Sequence, residues 1–305
     1  MKKFFAFVLA LMLIAGAVYS SAFLGRNAFK SNHKRINAQS MECAESEPFA
    51  STARGMCTMD GEGRVLFKKD EHKKLAMAST TKIATAITVL DNCTDLDTPF
   101  EVDKRAIGIE GTSIYLKKGE KMTVRELLYG LMLRSGNDCA TALAYHIGNG
   151  DYQKFIDLMN EMARNVGAEN TSFANPHGLD EDDHFTTAYD LALISAYAMK
   201  NPTFAEIVST KETKISGVDY PRVIRNKNRL LHGMDCCVGV KTGFTKKAGR
   251  CYVGAIKQND SIVICAVLNC GPMFEEAAEL MEDGMEIVND EFARNAWYNE
   301  NNVVQ

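Results

Sequence analysis

Residues 236–269 read CCVGVKTGFTKKAGRCYVGAIKQNDSIVICAVLN and contain three largely apolar runs. The runs at 236–244, 250–257 and 261–269 are rich in β-branched and aromatic residues, which favour strands. Between the last two runs, Gln258-Asn259-Asp260 is typical of a turn. This stretch therefore predicts neighbouring strands of one sheet.

Strand patterns also occur near the other end of the chain. Residues 53–70 predict two short strands on either side of the turn sequence DGEG. From residue 79 to about 200, apolar residues recur at i, i+3 and i+4, which predicts helices, and 274–288 predicts a closing amphipathic helix. Strands at both ends of a helical middle predict an α/β fold whose sheet is interrupted by a helical insertion at about 93–208.

The composition is that of an ordinary globular protein. The chain has 305 residues, of which 46% are hydrophobic and 24% charged, and its net charge is −4. The acidic balance argues against a nucleic-acid partner. The usual nucleotide-, zinc- and thioredoxin-type motifs are absent, so we expect neither a cofactor nor a metal.

The N-terminus has the layout of a secretory signal peptide. Lys2 and Lys3 precede the apolar run 4–18, and Ser20 and Ala22 form a plausible cleavage site. An uncleaved membrane anchor is the alternative, since the uncharged stretch is about as long as a span. Both alternatives predict an exported, extracytoplasmic protein, either at the outer face of the cytoplasmic membrane or beyond it.

These features predict how the chain is divided. We expect the signal peptide or anchor at 1–22, a polar linker at 23–48, the folded domain at 49–290 and a tail at 291–305. Nine cysteines in an exported chain usually indicate disulfides. Their number is odd, however, and Cys139 and Cys265 have apolar neighbours, so we expect most to be free thiols.

A serine and a lysine, Ser79 and Lys82, stand three residues apart at the start of the apolar run 76–90. On a helix this spacing brings the two side chains to one face. The same S-x-x-K spacing occurs at 31–34 in a polar stretch, so the spacing alone is not diagnostic.

Two further motifs complete a set: Ser135-Gly136-Asn137, which predicts a break within a helical pattern, and Lys241-Thr242-Gly243, which follows a strand-like run. Each alone is compatible with a cap, a turn or a strand end. In the order S-x-x-K, S-x-N, K-T-G they resemble the motifs of penicillin-binding proteins and class A β-lactamases.

This resemblance predicts three catalytic residues, because acyl transfer needs a nucleophile and proton carriers. Ser79 would attack a carbonyl group, and Lys82 would take its proton if burial and Lys241 keep the amine neutral. Ser135 would pass the proton to the leaving amine. Asn137 would orient both the substrate amide and Lys82.

The K-T-G strand is predicted to bind substrate. Lys241 and Thr242 offer a positive charge and a hydroxyl to an anionic substrate end, and Gly243 leaves room for a substrate strand. The backbone N–H groups of Ser79 and Phe244 would form an oxyanion hole, because Ser79 begins a helix.

A longer resemblance covers residues 53–285. The chain resembles the serine-type D-alanyl-D-alanine carboxypeptidases, or low-molecular-mass penicillin-binding proteins, in the stretches MASTTKIATA (77–86), LMLRSGNDCATALA (131–144), NPHGLDEDDHFTTAYDLALI (175–194), NKNRLL (226–231) and GVKTGFTKKAGRC (239–251). It implies a five-stranded antiparallel sheet flanked by helices, with an inserted helical subdomain. It also implies removal of the terminal D-alanine from peptidoglycan pentapeptides and inhibition by β-lactam antibiotics. We expect His177 to be structural rather than catalytic.

One position departs from the resemblance. Family members often have an arginine shortly before the final helix that helps to hold the substrate carboxylate, and here Met273 stands at that place. Arg250 or Thr242 could take over this role.

Other activities stay open. An endopeptidase or transpeptidase shares the acylation chemistry and differs in the acceptor. A β-lactamase of this fold is disfavoured because the E-x-x-L-N stretch of class A enzymes is absent between Asn137 and Lys241. A non-catalytic wall-binding protein is disfavoured because every motif residue is present.

Overall fold

The computed structural model describes residues 51–216 and 221–302. The signal peptide or anchor predicted at 1–22 and the linker predicted at 23–48 lie outside the described residues. Within the described ranges, no helix combines the length and the apolar character that crossing a membrane requires.

Nine strands and eight α-helices make up the described part of the chain. The strands are β1 (Gly55–Asp60), β2 (Val65–Lys69), β3 (Phe100–Glu101), β4 (Lys121–Met122), β5 (Glu212–Ile215), β6 (Arg222–Arg225), β7 (Cys237–Thr245), β8 (Gly249–Gln258) and β9 (Ser261–Leu268). The helices are α1 (Lys82–Asn92), α2 (Val124–Tyr129), α3 (Asn137–Ile147), α4 (Tyr152–Val166), α5 (Ala188–Met199), α6 (Pro202–Ser209), α7 (Arg229–Gly233) and α8 (Met273–Asn302).

The predicted five-stranded antiparallel sheet is confirmed. Its order is β2-β1-β9-β8-β7, and every neighbouring pair is antiparallel. The three strands predicted at 236–269 form β7, β8 and β9, and the hairpin predicted at 53–70 forms β1 and β2. Among the described residues no strand pairs with the outer edge of β7, so the K-T-G motif lies on an edge strand.

Helices cover both faces of the sheet. Helix α8 packs against β8 and β9, where Tyr252, Val263, Leu280 and Met281 belong to one buried core cluster. Helix α5, which is apolar along nearly its whole length, packs against β1 and β9. Full burial of one such aliphatic or aromatic side chain contributes about 1.5–3 kcal/mol, so these two layers hold the sheet in place.

The predicted break in the helical pattern between α2 and α3 is confirmed. The backbone widens into a π-helical turn at Gly130–Arg134. It ends at Ser135, whose φ of 70° is in the left-handed region, and α3 begins at Asn137. The S-x-N motif therefore lies in a bend between two helices.

Two features differ from the sequence predictions or go beyond them. The two-stranded sheets β3–β4 and β5–β6 were not predicted, since strands of two to four residues are too short to show periodicity. The tail predicted at 291–305 is instead helical as far as Asn302. After Gly284 the sequence contains neither glycine nor proline, so nothing in it stops α8 there. The eight described cysteines are free thiols, which confirms the expectation for most of them.

Candidate active site

Ser79 lies in a short 3-10 turn, Ala78–Thr81, that leads directly into α1. The preceding residue, Ala78, has a φ of 49°, an uncommon conformation for a residue other than glycine. The hydroxyls of Thr80 and Thr81 donate to the carbonyl oxygens of Met77 and Ala78, at 2.6 and 2.8 Å. These bonds hold the turn in a strained shape, as is often found at functional sites.

The side chain of Lys82 is fully buried and lies next to Ser79. Its Nζ lies 3.0 Å from Ser79 Oγ and 2.7 Å from Asn137 Oδ1, and it donates to the carbonyl oxygen of His177. These three partners are uncharged. Burial, and then the positive charge of Lys241, holds the pKa of the Lys82 amine well below its usual range. A neutral amine at this position can accept the Ser79 proton.

Asn137 is held on both sides at the start of α3. Its backbone N–H donates to Thr112 O at 2.7 Å, and its side-chain Nδ2 donates to Glu110 O at 2.6 Å. The amide oxygen therefore points at Lys82, which agrees with the orienting role predicted for Asn137. Ser135, two residues earlier, is buried in the bend. Its role as a proton carrier stays a prediction.

The K-T-G strand β7 lies directly against the Ser79 turn. A Cβ atom on Gly243 would come within 2.9 Å of Ser79 N and 3.1 Å of Thr80 N, so only glycine fits here without displacing backbone. On this face of β7, the Ser79 turn therefore occupies the space that we expected Gly243 to leave for a substrate strand. Phe244, the next residue, is 66% exposed at the sheet edge, and its N–H as an oxyanion donor stays a prediction.

Lys241 is also buried, and its Nζ donates to Thr242 O at 2.8 Å. Burial, with a smaller effect from the charge of Lys227, lowers the pKa of Lys241 to about 7. Lys241 therefore carries only a partial charge near neutral pH. A bound substrate anion would favour its protonated form.

Lys227 is a third lysine of this site that motif reasoning missed. Its backbone N–H donates to Leu133 O at 3.2 Å, which places it beside the bend that carries Ser135. Its neighbours Asn226 and Asn228 are buried and hydrogen-bonded to backbone and to Tyr252. The charge of Lys227 lowers the pKa values of both Lys82 and Lys241. The one sequence signal for Lys227 was its place in the NKNRLL stretch (226–231), which resembles the corresponding stretch of the family.

A change at Lys227 should shift the pH dependence of acylation. In Lys227→Gln the lost positive charge raises the pKa values of Lys82 and Lys241. The base is then neutral only at higher pH, so the rising limb of the penicillin acylation rate should move to higher pH. Lys227→Arg keeps the charge and serves as the control. An unchanged profile in the glutamine variant, or an equal shift in both variants, would contradict this role.

The loop at 175–178 supports the Ser79 turn from the other side. The imidazole of His177 is mostly buried, which lowers its pKa to about 3, with a smaller effect from the charge of Lys82. A ring that stays neutral fits the structural role expected for His177, and its carbonyl group is what binds Lys82. Gly178 has a φ of 90° and packs on Ala78.

Gly178→Ala should slow acylation without removing any polar group. A Cβ atom on Gly178 would lie 2.0 Å from Ala78 O, so the Ser79 turn must move. Misplacement of a reacting group by about 1 Å costs on the order of 10²-fold in rate. The measurement is the rate of penicillin acylation of the folded variant. Gly233→Ala is the control, since a Cβ there meets no atom within 4 Å. A wild-type rate in Gly178→Ala would show that the loop does not position Ser79.

Comparison with known proteins places this geometry in a family. The family model described as D-alanyl-D-alanine carboxypeptidase matches residues 41–271. The D-alanyl-D-alanine carboxypeptidase DacF of Bacillus subtilis is 32% identical over 223 residues, which cover 72% of this chain and 57% of that relative. The D-alanyl-D-alanine carboxypeptidase of Streptomyces sp. strain K15 is 34% identical over 241 residues, 74% of this chain and 83% of that relative. The crystal structure of the Streptomyces K15 DD-transpeptidase superposes with a TM-score of 0.73 at 32% identity, covering 78% of this chain and 98% of that one.

Proposed function

This chain belongs to the D-alanyl-D-alanine carboxypeptidase family, and we propose that it removes the terminal D-alanine from peptidoglycan stem pentapeptides through an acyl-enzyme on Ser79. The observation that carries this proposal is the position of Ser79 Oγ, 3.0 Å from the Nζ of the buried Lys82, beside the K-T-G strand. A nucleophile within hydrogen-bond reach of a base of lowered pKa is the arrangement that acyl transfer requires.

Acylation begins when Ser79 Oγ attacks the carbonyl carbon of the penultimate D-alanine. The hydroxyl proton passes to the neutral Lys82 amine as the C–O bond forms. The N–H groups of Ser79 and Phe244 stabilise the oxyanion, and such a donor contributes about 2.7–4 kcal/mol. When the C–N bond breaks, the leaving amine of D-alanine receives the proton from Lys82 through Ser135.

Deacylation completes the cycle. A water molecule attacks the ester carbonyl and gives a proton to Lys82. The C–O bond to Ser79 then breaks, and Lys82 returns the proton to the Ser79 oxygen, which restores the hydroxyl and the neutral amine. Asn137 holds Lys82 in place throughout, since its Oδ1 lies 2.7 Å from Nζ. The same Ser79 would open a β-lactam ring, which accounts for the expected inhibition by β-lactam antibiotics.

Transpeptidation is the second candidate activity. The similar Streptomyces K15 structure is that of a DD-transpeptidase. The acylation step is common to both activities, and only the acceptor differs: water releases the tetrapeptide, whereas an amine of another stem forms a cross-link.

Product analysis on a purified muropeptide pentapeptide tests the proposed function. Free D-alanine with tetrapeptide product supports carboxypeptidase activity, and cross-linked product with an added amine acceptor supports transpeptidation. The absence of both products in the wild-type protein would contradict either activity and favour a wall-binding role.

Export is the remaining part of the proposal. The proposed substrate, peptidoglycan, lies outside the cytoplasmic membrane, so the enzyme must be exported to reach it. The apolar run behind Lys2 and Lys3 is typical of a signal peptide and supports this export. Cell fractionation with N-terminal sequencing distinguishes a cleaved protein that begins near Phe23 from an intact, membrane-bound one. An intact protein in the cytoplasm would contradict both.

A further inference from the structure

Residues 110–116 form a loop that lies directly against the S-x-N motif and contains no helix or strand. Two of its carbonyl groups bind Asn137: Glu110 O accepts from Nδ2 at 2.6 Å, and Thr112 O accepts from the backbone N–H at 2.7 Å. Buried N–H groups of such an irregular segment need partners outside a helix or sheet. The position of Asn137, and with it the contact to Lys82, therefore depends on the groups that hold the 110–116 loop.

The carboxylate of Asp138 binds the second half of this loop. It accepts hydrogen bonds from Ser113 Oγ at 2.6 Å, from Ile114 N at 3.2 Å and from Leu116 N at 3.0 Å. The N–H between these two, that of Tyr115, donates to Ser113 Oγ at 2.8 Å. Successive N–H groups arranged around an anion form a nest, and the φ of 62° at Tyr115 gives the backbone the left-handed residue that such a nest contains.

Asp138 is almost fully buried in the first turn of α3, where the helix dipole favours a negative charge. A buried charge is costly unless hydrogen bonds compensate for its lost hydration, and here the N–H and hydroxyl groups of the loop supply those bonds. The carboxylate and the loop conformation therefore stabilise each other. Because Asp138 directly follows Asn137, it holds the loop in the position where the carbonyl groups of residues 110 and 112 meet Asn137.

A second side chain holds the same loop through its carbonyl groups. The Arg222 guanidinium donates to Ile114 O at 2.8 Å and to Tyr115 O at 3.1 Å. Glu120 fixes this guanidinium in turn, since its carboxylate accepts from Nη1 at 2.6 Å and from Nη2 at 2.9 Å. The N–H groups of the loop are thus bound by one charged side chain and its C=O groups by another, which keeps the uncommon conformation of Tyr115 in place.

We propose that Asp138 is a positioning residue for acylation: through the 110–116 loop it sets the Asn137 amide, and through that amide the Lys82 amine. This inference rests on the proposed function, which makes Lys82 the base. The contacts continue from Asn137 Oδ1 to Lys82 Nζ at 2.7 Å and from Nζ to Ser79 Oγ at 3.0 Å. A displacement of the base by about 1 Å costs on the order of 10²-fold in rate, so the loop controls the reaction without touching the substrate.

The test measures the rate constant of acylation at saturating penicillin, separately from penicillin binding. In Asp138→Asn an NH₂ group replaces one oxygen, and either Cys139 N or Leu116 N then loses its acceptor. The rate constant should fall roughly 10- to 100-fold with little change in binding, as for a misplaced base. Asp60→Asn is the matched control and should react at the wild-type rate, because Asp60 Oδ1 accepts two backbone N–H groups in the turn between β1 and β2.

A double-mutant cycle separates positioning from general structural support. If Asp138 acts through Asn137, adding Asp138→Asn to Asn137→Ala should lower the rate constant by less than about threefold, because the two effects share one path.

Ser113→Ala is a milder variant that tests the same loop even if Asp138→Asn does not fold. It removes one hydroxyl from the nest and should lower the rate constant about 3- to 10-fold, the scale of one hydrogen bond. Melting temperatures establish that folded proteins are compared.

Three results would overturn the role of Asp138: a wild-type rate in Asp138→Asn or in Ser113→Ala, an equal loss in Asp60→Asn, or losses that multiply fully in the double variant. A wild-type protein that does not react with penicillin would instead overturn the proposed function, and this inference with it.

Discussion

Ser79→Ala is expected to lower turnover of a pentapeptide substrate by roughly 10⁶-fold, the scale of loss seen when a catalytic serine is removed. The reason is that the Ser79 hydroxyl is both the attacking group and the atom that carries the acyl chain. The substitution removes one oxygen from a turn whose backbone is held by the Thr80 and Thr81 hydroxyls, so the fold and the Lys82 site should persist. Release of D-alanine, followed with a coupled assay, is the measurement.

The second S-x-x-K sequence provides a matched control for Ser79. Ser31→Ala changes the other serine with this spacing and should leave turnover at the wild-type level. Substantial turnover in Ser79→Ala, or a comparable loss in Ser31→Ala, would mean that the nucleophile has been assigned to the wrong residue.

Lys82→Met is expected to lower the acylation rate by about 10²–10⁴-fold, the usual contribution of a general base. Methionine keeps most of the length and apolar volume of the lysine stem but cannot accept a proton. Binding of the substrate should change little, because Lys82 is fully buried and its amine contacts only Ser79, Asn137 and the His177 carbonyl among the described residues. Acylation by penicillin under single-turnover conditions is the readout, and a rate within a few-fold of wild type would rule out Lys82 as the base.

The same variant should alter how stability depends on pH. The folded-state pKa values of Lys82 and Lys241 lie below the usual lysine value, and that of Lys241 is about 7. Between pH 7 and 10 the unfolded chain therefore binds more protons than the folded one, and the free energy of unfolding should rise with pH. Lys82→Met removes one of these two groups, so urea titrations at pH 7 and 9 should show a smaller rise. An equal rise in both proteins would indicate that the Lys82 amine stays charged in the fold.

The sheet and the motif residues were accessible from sequence because their signals are local. The runs at 236–269 have strand composition and clear turns, and they form β7, β8 and β9 as predicted. The break at Ser135 could be predicted because serine, glycine and asparagine interrupt an otherwise regular apolar period. The Ser79–Lys82 contact follows from helical spacing, although the first turn is a 3-10 turn and α1 begins at Lys82.

The supporting residues could not be predicted because their roles depend on distant segments. Gly178 is 99 positions after Ser79, and its importance appears only when its φ of 90° and its contact with Ala78 are known. Lys227 has no motif of its own, and its effect on Lys82 and Lys241 is a long-range charge interaction. The sequence placed Gly243 correctly on the strand that borders the site. Its close approach to Ser79 N, however, depends on how that strand packs against the Ser79 turn, which residue spacing does not reveal.

The central claim is that Ser79 forms the acyl-enzyme, and mapping of a penicillin adduct tests it most directly. The purified protein is incubated with a labelled penicillin, digested and examined by peptide mass spectrometry. The account predicts one adduct, on the peptide that contains Ser79, and none in Ser79→Ala. An adduct on Ser31, on Ser135 or on a cysteine, or no adduct on active wild-type protein, would contradict it.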